Sequence, residues 1–254
     1  MRSGATHVTE HAAGRRPGDA QQGGVAPTSP WGLLTYADGA LVLSHRLSEW
    51  MSNAPTMEED IALGNIALDL LGQARGLLQH CAAERGGDED ELAYFRDAQE
   101  FRNPLLCELP NGDFAHTIMR QLFADAWFAE VWPALAAAEG VSDDVRGVAE
   151  KAIKENAYHW RHSSAWVVRL GDGTEESHRR TQDALDALWP YRGEIASPAW
   201  YSRVEPVLAE ATLTTPPRDA WTQRSSADGW HTEHLGYLLA EMQSLARAHP
   251  GATW

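Results

Sequence analysis

Cysteine is nearly absent from this chain of 254 residues. Cys81 and Cys107 are the two it has, and neither belongs to a CxxC pair. A disulfide framework is therefore not expected, and a reducing, cytoplasmic setting is the simple reading. No apolar run approaches the ~20 residues that a membrane-spanning helix needs. The first residues carry Arg2, Arg15 and Arg16 without the apolar stretch of a secretory signal, so no such signal is expected. Basic residues are outnumbered, 21 Lys and Arg against 36 Asp and Glu, for a formal net charge of −15. Phosphates repel such a chain, which argues against nucleic acid or anionic membrane as partner but leaves room for a protein with a basic face. No GxSxG, GxGxxG or Walker-type loop occurs. Cys81 and Cys107 have no evident base nearby in sequence, so nucleophilic catalysis has no support.

What is there is helical. Residues 1–30, rich in Gly, Ala, Pro and polar side chains with little periodicity, read as a disordered tail, and residues 31–254 as one helical domain. A chain this long can bury roughly 70–75% of its unfolded surface and needs no covalent staple. A first helix is expected from about Ala37 to Ser52, ended by Asn53 and Pro55. Thr56 with Glu59 three residues on forms a capping-box pattern that opens a long second helix. Along it Ile61, Leu68 and Leu71 recur at helical spacing, and Ala62, Ile66, Asp69 and Gln73 form an adjacent stripe. A short acidic helix is expected over about Glu89–Gln99, then a loop through Pro104, Pro110 and Gly112. Further helices are expected from Asp113, with Pro133 kinking or interrupting it, and from the cap candidate Ser142, or Asp143 or Asp144, to about Leu170 with Gly171 as its cap. Thr174 should cap another, and weaker helical patterns lie near Val204–Leu213 and from Trp230 to the end. Of the eleven tryptophans, Trp50, Trp127, Trp132, Trp160 and Trp166 fall on these helices, where core filling is the ordinary role. No strand pattern of useful length and no internal repeat is visible. Four long helices with a long connection between the second and the next fit an all-α, ferritin-like bundle with a long crossover and extra C-terminal helices.

Such bundles can hold two irons on about four carboxylates and two histidines, with Glu-x-x-His on each of two helices. The second helix offers Asp69 and Gln73, and the Ser142 helix offers Glu155 and His159. Both pairs are spaced i,i+4 rather than i,i+3. Gln73 is a neutral amide and a poor iron ligand, and Leu70, three residues before it, cannot ligate. Asn156 stands three residues before His159. Asp125, in LFADAW, is a further carboxylate, and His45 and Glu49 are a pair on the first helix. Six ligands cannot be assembled from these. The reading they favour is a buried, hydrogen-bonded polar network of Asp69, Gln73, Asp125, Glu155 and His159. The alternative is an autonomous di-metal oxidase using Asp69, Asp125, Glu155 and His159. His159 and His162, three apart, read as structural. His231 and His234 sit in His-Thr-Glu-His, which lacks the Glu placement of HExxH.

The strings EEDIALGNIALDLLGQAR, ELAYFRDAQEFRN, ELPNGDFAHTIMRQLFADAW, KAIKENAYHWRHSSAWVVRLGDGTEESHRR and HTEHLGYLLAEMQSLARAHPGATW closely resemble the C subunits of bacterial phenylacetyl-CoA 1,2-epoxidases. These are ferritin-like proteins of the multicomponent monooxygenase group, and the resemblance covers about residues 31–254. It implies a non-catalytic subunit that scaffolds a homologous A subunit holding the di-iron centre. It also implies a B subunit and a reductase carrying FAD and an iron–sulfur centre, with electrons from NADPH, and no cofactor in this chain. On this resemblance Gln73 stands where a metal-binding paralogue has His, and Leu70 and Asn156 where it has Glu. His159 is kept, and Asp125 matches a retained ligand position. The expected assembly is a hetero-oligomer, with a homodimer as the alternative for the isolated chain. No metal, catalytic or cofactor-binding residue is expected.

Overall fold

The computed structural model describes residues 29–223, 226 and 229–252. The expected tail therefore lies outside the described residues except for its last two. These open a helix: Ser29 Oγ accepts the amide proton of Gly32 at 3.2 Å, and Pro30 is the first helical residue. Proline suits that position because its missing N–H would have had no partner there. The first helix, α1 (Pro30–Ser48), thus begins before Ala37 and ends before Ser52. Trp50 lies in the turn that follows, where its indole N–H reaches Thr117 Oγ1 at 3.0 Å.

The long helices are α2 (Met57–Arg85), α5 (Phe114–Ala137) and α6 (Asp143–Gly171). Each starts where a side-chain oxygen can take an unpaired amide proton of the first turn. Thr56 caps α2, Asp113 caps α5 and Ser142 caps α6. Pro133 does not interrupt α5, which runs on to Ala137 with Trp132 and Leu135 in the core. α1 packs on α2 and α5 on α6, and the two pairs meet where α2 lies on α6. This is the all-α, ferritin-like bundle expected, and no strand occurs among the described residues. Trp132, Trp189, Trp200, Phe101, Phe123 and Phe128 are among the largest fully buried side chains of the core.

Gly171 is the last residue of α6 rather than its cap, which is Asp172. A side chain there would run into the carbonyl oxygen of Ala211, so the glycine serves close packing rather than a left-handed turn. Beyond it, α7 (Glu175–Leu188), capped by Thr174, and α8 (Pro198–Glu210) lie on α5 and α6. α8 begins earlier than its apolar pattern indicates, because Ser197 caps it and Pro198 starts it. The last segment is two helices, α9 (Glu233–Met242) and α10 (Ser244–Ala248), broken at Gln243.

The crossover between α2 and α5 holds α3 (Glu89–Tyr94), a 3-10 turn (Ala98–Glu100) and α4 (Leu105–Glu108). Its middle reads as loop in sequence because prolines bracket it, yet Pro104 starts a single helical turn. Buried charges fix this segment. Arg96 donates both terminal nitrogens to Asp38, at 3.0 and 2.5 Å. Glu108 accepts from Asn103 Nδ2 at 3.0 Å, bonds His231 Nδ1 at 2.7 Å and accepts the Thr232 amide at 2.5 Å. His231 is thereby engaged in tying the C-terminal segment to the crossover. No described helix is long and apolar enough to cross a membrane.

Candidate functional site

The α2–α6 seam brings four of the five singled-out side chains into two pairs. His159 Nε2 lies 3.1 Å from Asp69 Oδ2. One turn along, Gln73 Nε2 donates to Glu155 Oε2 at 2.9 Å, and Lys151 Nζ lies 2.5 Å from the other oxygen of that carboxylate. These contacts follow from helix geometry, since residues four apart lie on one face and the two i,i+4 pairs can meet rung by rung.

Asp125 sits in the adjoining α5–α6 layer and is fully buried. Gln121 Nε2 donates to its Oδ1 at 2.7 Å and Ser163 Oγ to its Oδ2 at 2.6 Å. Asn156 Nδ2 donates to the Asp125 carbonyl at 3.0 Å. Burial pushes the Asp125 carboxyl up to about 6, against the opposing influence of His159 and of the Ser163 and Gln121 hydrogen bonds. Asn156, His159 and Ser163 recur at helical spacing on the buried face of α6, so this one stripe links both layers.

Three participants were not legible as such. Gln121 and Ser163 lie four residues from Asp125 and His159, and that spacing was the available signal. Glu59 reads as the reaching member of a capping box. Its amide does donate to Thr56 Oγ1 at 3.3 Å, but its carboxylate turns inward to His162 Nε2 at 2.7 Å. His162 is thus a structural partner of α2. The first-helix candidates point elsewhere: Glu49 is engaged by Arg46 at 2.8 Å and Asn111 at 2.9 Å. Burial lowers the pKa of His45.

A di-iron centre does not fit these groups. Among the described residues, no three His, Cys, Asp or Glu side chains gather as a metal would require. Glu155 already has an ammonium and an amide on its two oxygens, and Gln73 turns its N–H toward it rather than a lone pair toward the centre. Two amides and a hydroxyl occupy the rest of the stripe, and these are weak ligands for iron. The cysteines add nothing, because both are buried. Burial pushes the Cys81 thiol up to about 11 and the Cys107 thiol further still.

Among the described residues, Gln73 Oε1, Gln121 Oε1, Asn156 Oδ1, His159 Nδ1 and His162 Nδ1 are buried and have no side-chain or backbone hydrogen-bond partner.

The sequence profile of the family described as "Phenylacetic acid catabolic protein" matches residues 28–199 and 196–254. The chain is 43% identical over 243 residues to a protein of Escherichia coli (strain K12) that is named as the C subunit of 1,2-phenylacetyl-CoA epoxidase. That alignment covers 87% of this chain and 97% of the relative.

Proposed function

Because the chain belongs to the family of phenylacetic acid catabolic proteins, we propose that it is the structural subunit of a phenylacetyl-CoA ring 1,2-epoxidase. In this reading it acts in aerobic phenylacetate degradation in the cytoplasm. It scaffolds a homologous catalytic A subunit, which holds the di-iron centre and the CoA ester. A B subunit and a reductase with FAD and an iron–sulfur centre, fed by NADPH, complete the system. The likeness to a relative named as the C subunit of such an epoxidase, across nearly the full length of both chains, supports the assignment.

The non-catalytic part rests on the site. Its single most telling observation is the Gln73–Glu155–Lys151 arrangement, which neutralises from within the chain a carboxylate that a metal would otherwise bind. Asp69, Gln73, Asp125, Glu155 and His159 are then the remnant of a metal centre, kept as a polar network. Without a cofactor of its own, this chain serves by packing on its partner and keeping it folded and soluble.

Co-expression with the A subunit, tagged on that partner alone, tests the reading. This chain should co-purify in fixed ratio through a high-salt wash, and the A subunit made without it should be largely insoluble. An A subunit that purifies alone with full epoxidase activity would overturn it.

A further inference from the structure

The long helix α2 carries an apolar strip that no described residue of this chain covers. Its buried face is Leu63, Ile66, Leu70, Ala74 and Leu77, which pack in the core. Ile61, Leu68 and Leu71, which recur at helical spacing, point outward. Met57, Ile61, Leu68 and Leu71 are exposed by 76%, 58%, 66% and 38%. At 100° per residue they fall on one side of the helix, together with Gly64 and Gly72. The strip runs about 21 Å at ~1.5 Å per residue. No charged residue interrupts it between Met57 and Leu71, in a chain with 57 charged side chains.

The two glycines strengthen the case. A Cβ at Gly64 or Gly72 would meet nothing within 4 Å, so neither serves packing among the described residues. Glycine in a helix interior disfavours the helix relative to alanine. Two such residues on the outward side of α2, beside exposed leucines, make sense when another backbone comes close there.

We infer that this strip is the docking face for the catalytic subunit, which lays an apolar helix along it with basic residues at the margins. The inference rests on the reading of the chain as a supporting subunit, and it names the surface that reading requires. Charge favours this occupant over a second copy. The strip is bordered by Glu58, by Asp60, which also accepts the Ser52 amide, and by Asp69, which also pairs with His159, whereas the cation at its far end, Arg75, lies 3.2 Å from Glu89. Two copies would bring together two such acidic margins and two chains of −15 each. A basic-rimmed partner meets the same margin with attraction.

The test is co-purification with the tagged A subunit for wild type, Leu68→Glu, Gly72→Leu and the control Tyr237→Glu on α9. Leu68→Glu should cut recovery about ten-fold or more, because it buries an unpaired charge at the interface. Gly72→Leu should also cut recovery while the isolated chain melts at the same or a higher temperature. The bulk blocks a close helix, yet a leucine favours α2 on its own. Tyr237→Glu should be recovered like wild type. Gly72→Leu also guards against a Leu68→Glu chain that fails to fold. If the wild-type pair forms and both α2 variants are recovered equally well, the docking face is wrong and the supporting-subunit reading stands. If the wild-type pair never forms, that reading falls and takes the inference with it. An isolated wild-type dimer that Leu68→Glu converts to monomer would assign the strip to a second copy and overturn the choice of occupant.

Discussion

Gln73 and Glu155 join α2 to α6 through one hydrogen bond of 2.9 Å, with the glutamine as donor. That direction matters. The amide oxygen, the only atom of Gln73 that could face a cation, is buried without a partner. The carboxylate is satisfied by groups of its own chain.

Gln73→Ala should therefore lower stability by about 1.5–3 kcal/mol, the range for losing one hydrogen bond to a charged group. The loss stays modest because Lys151 remains on Glu155. Urea denaturation of the isolated chain measures it.

Asp125 predicts a pH dependence. Its carboxyl is raised from 3.8 to about 6 in the folded chain, so the folded state binds this proton more tightly than the unfolded state does. Its contribution to stability is fully present below about pH 4 and is lost as pH rises through about 6. The loss is up to about 3 kcal/mol for a shift of this size. Asp125→Asn removes the titration. Between pH 5 and pH 8 the variant should gain in melting temperature relative to wild type. Parallel profiles for the two would contradict the assignment.

Glu108 ties the crossover to the C-terminal segment through Asn103, His231 and the Thr232 amide. Glu108→Ala leaves these buried donors unmet and should cost about 3–5 kcal/mol. Native-state hydrogen exchange should show α9 opening before the α5–α6 pair.

Gly171→Ala should destabilise by about 1–3 kcal/mol, since the added methyl group meets the Ala211 backbone and must push α6 and α8 apart. A thermal melt of the variant reads this directly.

Four helix starts were legible because capping is local, whereas those of α1 and α8, capped by Ser29 and Ser197, were not. Thr56, Asp113, Ser142 and Thr174 each bond an amide within three residues, as their positions indicated. The direction of α2's faces was not. Apolar residues lie nearly all around that helix, so periodicity cannot say which side meets α1 and α6 and which is left out. Glu59 escaped for a related reason. Its capping-box position is a short-range signal, but a long-range partner, His162, takes the carboxylate instead. The Asp69–His159 and Gln73–Glu155 candidates came from spacing on single helices. Their pairing needed the two helices side by side, as did the roles of Gln121 and Ser163.

The most direct measurement is the iron content of each chain in the co-purified complex, separated after purification without added chelator. The account predicts that iron is confined to the A subunit. It also predicts that this chain carries far less than one atom per molecule and melts at the same temperature before and after chelation. One or two irons held by this chain through chelation would contradict it.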